Sequence, residues 1–269
     1  MSAIDKDGMP EQGSQIDAEA GVQMEPLSEE EKSHLRAFEE ARPDWRLYSV
    51  GNRWSGENNH KSGKLEFRPS HPYLSGMHYV MSRLAPMAPL KILDIGSPFA
   101  QDVALACVPG IEVTVLDIRD HPEAERFGLK WVKGNATELP FDDESWDVVT
   151  SLWVMGHVGD GRYGDPFDVD GDKRMLREIA RVLKPGGTAI IGPGLLDFFC
   201  VNVFNMHRIY SWAWLEKEFS EVGLKLQDTK DLLVTQEMFI DPTWHGEEGF
   251  VIHRRDGYYG VATLTKQPG

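Results

Sequence analysis

Lys91-Ile92-Leu93-Asp94-Ile95-Gly96 and Ile111-Glu112-Val113-Thr114-Val115-Leu116-Asp117 decide how this chain folds. Each is a short apolar run closed by an acid, the pattern of a strand buried on both faces. Between them Phe99 to Val108 carries a helical pattern, and Pro109-Gly110 ends it. Outward from this pair, Leu129 to Val132 reads as a third strand, ahead of Gly134-Asn135-Ala136. Trp146 to Leu152 reads as a fourth, after the acidic turn Asp142-Asp143-Glu144. Gly171 or Asp172 is placed to cap a helix whose apolar positions Met175, Leu176, Ile179, Ala180, Val182 and Leu183 share one face. Lys184-Pro185-Gly186-Gly187 stops that helix, and Thr188 to Ile191 is a fifth strand. A helix over Trp212 to Val222 and a late strand over Tyr258 to Leu264 complete the series. Strands alternating with helices at this rhythm predict an α/β fold with a doubly wound, mostly parallel sheet.

Upstream, Ser28 and Glu31 form a capping box that predicts a helix ending before Pro43. Residues 44–75 are rich in Gly, Asn, His, Pro and aromatics, and read as irregular structure laid over a larger body. Met77 to Leu84 is a short helix stopped by Pro86 and Pro89. Residues 1–32 contain no aromatic residue and carry nine acids against two bases. Such a stretch buries too little apolar surface to offset its ordering entropy, so it is expected to be mostly disordered. The expected organisation is an acidic tail over 1–32, a small helical and irregular cap over 33–88, and the α/β domain over 89–269.

The chain has 269 residues, 41% of them hydrophobic and 26% charged, a globular composition able to bury a sizeable core. Lys plus Arg is 28 against 43 Asp plus Glu, a formal charge of −15. An anionic surface with no basic patch repels phosphate backbones, which disfavours a nucleic-acid partner. Cys107 and Cys200 stand far apart with no CxxC, so neither a disulfide scaffold nor a zinc site is indicated, and both are expected reduced in apolar surroundings. No apolar run is long enough to span a bilayer and the start has no basic-then-apolar signal, so the expectation is a cytoplasmic protein without a membrane partner.

In an open parallel sheet, ligands bind outside the carboxyl ends of the strands where strand order reverses. The residues there are Asp94 and Gly96 after the first strand, Asp117 after the second, Asn135 and Ala136 after the third, and Trp153 to His157 after the fourth. An acid 21 residues beyond Gly96 is placed to accept hydrogen bonds from both hydroxyls of a ribose. The stretches 91–97, 113–120, 134–159 and 176–191 resemble the successive motifs of class I S-adenosylmethionine-dependent methyltransferases, the helix ending Arg181-Val182-Leu183-Lys184-Pro185-Gly186-Gly187 most of all. That resemblance implies a Rossmann-like methyltransferase sheet and S-adenosylmethionine as cofactor. It puts the amino-acid end at the loop of Asp94, Gly96 and Ser97, the ribose at Asp117, and the adenine at Asn135 and Ala136. One departure stands out: the first loop reads Asp94-Ile95-Gly96-Ser97-Pro98-Phe99-Ala100 where the family has DxGxGxG, so one glycine is kept and Pro98 fixes a φ angle. The same loop argues against a dinucleotide, whose pyrophosphate needs GxGxxG.

Within the family, the Gly161-Arg162-Tyr163-Gly164-Asp165-Pro166 block and the segment through His207, Arg208 and Tyr210 resemble a little-characterised short subfamily, and also sugar or polysaccharide O-methyltransferases. A hydroxyl nucleophile needs its proton removed, and His157, just beyond the fourth strand, is the candidate general base; its competing role is packing or orientation. Tyr163, Asp165, His207 and Arg208 are candidate contacts for a small-molecule or saccharide acceptor. The five aspartates between Asp160 and Asp172 admit a divalent cation such as magnesium, though their spacing fails the EF-hand pattern and a substrate-side loop is the favoured reading. Trp45, Trp54 and Trp244 are read as core residues with stacking on an acceptor as the alternative, His60 and His71 as surface histidines with a lid as the alternative, and Asn205, with His207, Arg208 and Tyr210, as a polar and aromatic cluster on the path of an acceptor. The acceptor is expected to take methyl on oxygen. The alternatives are nitrogen, or a nucleoside-binding module without turnover.

Overall fold

The computed structural model of the chain describes residues 27–49, 72–196, 199–204, 207–232, 238–240, 250–252 and 259–268. Trp54, His60, His71, Asn205, Trp244 and residues 1–26 of the acidic tail lie outside these. The capping box forms as expected. It opens α1 (Glu29–Ala41), with Ser28 Oγ accepting from the Glu31 amide at 3.2 Å and Glu31 Oε2 accepting from the Ser28 amide at 2.7 Å. Helix therefore begins at the end of the acidic stretch, where the capping box places it. The cap segment is more regular than expected. It contains β1 (Arg46–Ser49), and α2 (Pro72–Leu84) starts at Pro72 rather than Met77. Proline suits the first helical position, where its missing N–H costs nothing.

The α/β body runs β2 (Leu90–Ile95), α3 (Phe99–Ala106), β3 (Ile111–Asp117), β4 (Lys130–Lys133), β5 (Trp146–Leu152), α4 (Gly171–Val182), β6 (Leu183–Gly192), β7 (Val201–Phe204), β8 (His207–Ile209), α5 (Trp212–Glu221), β9 (Leu224–Leu232), β10 (Met238–Ile240), β11 (Phe250–Ile252) and β12 (Tyr259–Lys266). Seven strands form one sheet in the order β4-β3-β2-β5-β6-β12-β9. The first five are parallel, and β12 runs antiparallel between β6 and β9. The doubly wound, mostly parallel Rossmann-like sheet is as expected.

Neighbouring apolar residues in the central strands explain why the sheet is covered on both sides. Ile92, Val115, Val148 and Ile190 pack with Tyr79, Val80 and Leu84 of α2 and Leu105 of α3. Their successors Leu93, Leu116, Val149 and Ile191 pack on the other face with Met175, Leu176 and Ile179 of α4 and Leu215 and Phe219 of α5. Side chains alternate faces along a strand, so a continuous apolar run supplies both layers.

A second, three-stranded sheet was not anticipated: β1 pairs parallel with β7, Arg46 opposite Val201 through Ser49 opposite Phe204, and β7 pairs antiparallel with β8. It joins the N-terminal segment to the region after β6. Two further corrections concern single residues. The N-cap position of α4 is Asp170, whose side chain makes no capping bond, while Asp172 is fully buried and serves elsewhere. Cys200 is buried but Cys107 is exposed, so only one of the two cysteines has the apolar surroundings expected of both.

Candidate active site

Strand order reverses between β2 and β5, and the turn after β2 is built on one glycine. Gly96 has φ +65°, a Cβ there would meet the Val154 methyls at 3.2 and 3.3 Å, and its amide donates to Leu116 O at 2.9 Å. The remaining glycines of the usual loop are not required. Ser97 turns its hydroxyl inward to accept from the Leu152 amide at 2.9 Å, and Pro98 stands at the N-cap of α3. Asp94 departs from its expected place at the ligand: it is fully buried and does not line the cleft. Its carboxylate accepts from the Ser97 amide at 2.9 Å, from Gln101 Nε2 at 3.1 Å and from Thr150 Oγ1, so it shapes the loop from beneath. Burial pushes the Asp94 carboxyl above its ordinary pKa, and burial together with Asp94 pushes the buried Asp102 well above.

The cleft at the carboxyl ends has two adjoining chambers. One, of about 580 Å³, is walled by Gly96, Leu116, Asp117, Ile118, Asn135, Ala136 and Val158. The other, of about 930 Å³ and open to solvent, is walled by Ser97, Pro98, Phe99, His121 and Trp131. Gly96, Asp117, Arg119, Trp153, His157 and Tyr163 border both. Asp117 closes β3 at the rim, 5% exposed. Arg119 grips it: the Arg119 amide and Nε donate to Oδ1 at 2.8 and 2.9 Å, and Nη2 donates to Oδ2 at 2.6 Å. The Arg119 guanidinium also lies 5.0 Å from the centre of the Tyr163 ring. Trp153 takes the left-handed conformation (φ 61°), uncommon for a bulky residue and typical of constrained sites. Its indole occupies the space left by Gly76 of α2, where a Cβ would come within 2.3 Å of it.

His157 closes the turn after β5 and faces both chambers, with Tyr163 and His207 edge-on at 5.5 and 5.8 Å between ring centres. Burial, with His157 and Arg162 nearby, holds the His207 imidazole down at about 3, so it is neutral at physiological pH. Asn135 accepts from the Thr137 amide at 3.0 Å through its side chain and lies with Ala136 against the first chamber. Asp165 borders the same chamber, but its carboxylate is occupied by the amides of Gly159 (2.7 Å), Tyr163 (3.2 Å) and Gly161 (3.4 Å), so it staples its own loop.

Arg208, expected to meet an acceptor, is instead wholly buried. It donates to Asp160 Oδ1 at 2.9 Å and to Asp168 O at 3.1 Å, and pairs with Asp172 Oδ1 at 3.2 Å. Asp172 also accepts from Arg42 of the N-terminal segment at 2.5 and 2.9 Å and from Tyr210 Oη at 3.1 Å. Burial alone would raise the Asp172 carboxyl, but Arg208 and Arg42 outweigh it and hold it at about 2. Asp160 is held low against its burial by Arg208 and His34, whose Nε2 lies 3.3 Å from Oδ1. Arg42 itself is packed among the rings of Phe38, Trp45 and Trp214. The aspartate-rich loop is thus directed at arginines and backbone amides: Asp168 pairs with Arg174 at 3.1 Å and Asp170 with Arg42 at 3.5 Å. Among the described residues no three potential metal ligands converge.

Residues 93–191 match the family described as a methyltransferase domain. The chain is similar to the biotin biosynthesis bifunctional protein BioHC of Cellvibrio japonicus, 35% identical over 50% of this chain and 28% of that protein. It is also similar to the demethylmenaquinone methyltransferase of Clavibacter sepedonicus, 33% identical over 40% of this chain and 42% of that protein. The chain thus spans less than half the length of these two relatives. Among solved structures, the 1,6-didemethyltoxoflavin-N1-methyltransferase of Burkholderia thailandensis, with 1,6-didemethyltoxoflavin and S-adenosylhomocysteine bound, matches 91% of this chain and 93% of its own at a TM-score of 0.54. At 17% identity that likeness shows the fold. Every residue bordering the two chambers lies within the matched segment, whereas His207, Arg208 and α1 lie outside it. Trp153 stands at the head of the stretch expected there, directly after β5, whereas Arg119 escaped the sequence reading, signalled only by its place two residues after a strand-end acid.

Proposed function

We propose that this chain binds S-adenosylmethionine in the cleft and transfers its methyl group to a hydroxyl of a small-molecule or saccharide acceptor. The observation that carries the reading is the coincidence of the matched methyltransferase domain with a chamber of about 580 Å³ that ends on a carboxylate, Asp117, at the strand switch. The residues present fit the cofactor. Leu116, Ile118 and Ala136 offer apolar walls for a purine, Asn135 a polar edge, Asp117 an acceptor for a cis-diol, and the side-chain-free Gly96 a close approach. The solved neighbour with S-adenosylhomocysteine bound and the relatives named as methyltransferases support the same reading.

When bound, S-adenosylmethionine supplies a methyl group on a positively charged sulfur, already activated for transfer. What remains for the protein is to hold a nucleophile in line and keep water out, and positioning of that kind contributes up to roughly 7–11 kcal/mol. Ser97, Pro98 and Gly96 hold the floor of the cleft; Trp153 and Tyr163 flank it with aromatic surface. His157 borders the same chamber and takes the acceptor's proton as the new bond forms. His207, neutral and edge-on beside it, orients its ring. His157 is the reason to prefer oxygen over the nitrogen that the solved neighbour is named for, since an amine nucleophile needs no such base. The test is transfer of a labelled methyl group to a component of a metabolite extract, alongside calorimetry with S-adenosylhomocysteine and with NAD. Tight binding of NAD and none of S-adenosylhomocysteine would remove the proposal; binding of S-adenosylhomocysteine without label transfer would leave a nucleoside-binding module.

A further inference from the structure

We infer that Arg119 is a positioning residue that holds Asp117 in the resting cleft and must release it for a ribose to bind. This rests on the adenosyl-binding reading above. A carboxylate offers about four lone-pair sites. Three are already filled in this structure, by the Arg119 amide, Nε and Nη2 at 2.8, 2.9 and 2.6 Å. A cis-diol brings two further O–H donors, which exceeds the remaining capacity. The amide bond belongs to the local turn, two residues from the acid, and stays where the backbone puts it. One or both guanidinium bonds must therefore break.

The surroundings allow that exchange. The Arg119 side chain is 45% exposed, so it has solvent to move into, and the Tyr163 ring 5.0 Å away gives the freed cation a face to rest on. Arg119 lies on the wall shared by the two chambers, so its release also widens the passage from the nucleoside to the acceptor side. While it is paired, the fork holds both oxygens of Asp117 in a fixed plane at the rim, ready for a diol without a search over rotamers. Arg119 thus trades affinity for order: it keeps the carboxylate oriented and lowers the affinity of ligands whose hydroxyls must displace it.

The experiment compares the parent protein with Arg119→Met, which keeps the apolar stem and removes the competing fork. Titrations use S-adenosylhomocysteine, adenosine and 2′,3′-dideoxyadenosine, with near-ultraviolet circular dichroism confirming that the variant is folded. Adenosine is expected to bind the variant about fivefold tighter, roughly 1 kcal/mol at 1.4 kcal/mol per tenfold, while 2′,3′-dideoxyadenosine, which has no hydroxyls for Asp117, binds both proteins alike. A purely structural role for Arg119 would not separate the two nucleosides. Equal or weaker adenosine binding by the variant overturns the inference, as does an equal gain for the dideoxy compound. If the parent binds S-adenosylhomocysteine and the adenosine gain is missing, only the role of Arg119 fails. If the parent binds no adenosyl ligand at all, the functional reading fails and this inference with it.

Discussion

Replacing Asp172 by asparagine removes one negative charge from a cluster in which two buried arginines, Arg42 and Arg208, face two buried aspartates, Asp160 and Asp172. The shape is kept and the balance is not. Part of the cost follows from linkage. The Asp172 carboxyl is held at about 2 rather than 3.8, which at about 1.4 kcal/mol per unit amounts to about 2 kcal/mol. Because the folded pKa is depressed, that stability is present in full above pH 3.8 and drains away as pH falls toward 2. Asparagine loses it at every pH and also leaves Arg42 and Arg208 sharing Asp160 and the more distant Asp170. Breaking a buried pair in this way costs about 3–5 kcal/mol. At about 2–4 °C per kcal/mol for a domain of this size, the melting temperature falls by about 10 °C. Urea unfolding followed by circular dichroism, from pH 7 down to pH 2, is the assay. The variant should show a lower midpoint at neutral pH and a flatter acid limb, and the double variant Arg42→Met, Asp172→Asn should recover part of the loss by restoring charge balance. A loss under about 1 kcal/mol at pH 7, or a double variant that simply adds the two single losses, would refute the view that charge pairing holds this cluster.

Other substitutions test the cleft. Asp117→Ala should weaken S-adenosylhomocysteine at least tenfold by calorimetry, about 1.4 kcal/mol, with little change in unfolding midpoint; unchanged affinity would move the nucleoside elsewhere. Gly96→Ala combines a positive φ with a Cβ 3.2 Å from Val154, so it should lower stability by about 1 kcal/mol and weaken the same ligand, both readable in one thermal-shift titration. His157→Asn should leave S-adenosylhomocysteine affinity intact while slowing label transfer by roughly 10²–10⁴; an unchanged transfer rate makes His157 a packing residue.

The central sheet could be read from local pattern because its strands are continuous apolar runs and its turns fall on Gly96, Gly110 and Gly134. What could not be read is what depends on partners distant in sequence. Arg46 to Ser49 shows no strand periodicity, and is a strand because Val201 to Phe204 offers it a parallel edge. Along β9, Asp228 and Lys230 interrupt the apolar alternation begun by Leu224 and Leu226, and the strand forms at the sheet edge by pairing with β12. The cleft residues Gly96, Asp117 and His157 were legible because topology alone places strand ends at the site. Asp94 was not, since an acid at a strand end looks alike whether it points at a ligand or into Thr150 and Gln101. The same blindness put Arg208 and Asp172 at the surface: a charged residue in a polar stretch gives no sign that its partner, Arg42, lies 130 positions away from Asp172.

The union of Arg42 and β1 with the far end of the chain bears on how this polypeptide is made and cut. A ribosome releases Arg42 long before Asp172, Arg208 and Val201 exist, so the first helix has nothing to neutralise its guanidinium until most of synthesis is over. Trimming the protein to begin at β2 would keep the whole cleft and still leave Asp172 short of a cation and β7 short of a neighbour. A shortened version should therefore express poorly even though every residue around the cleft is retained.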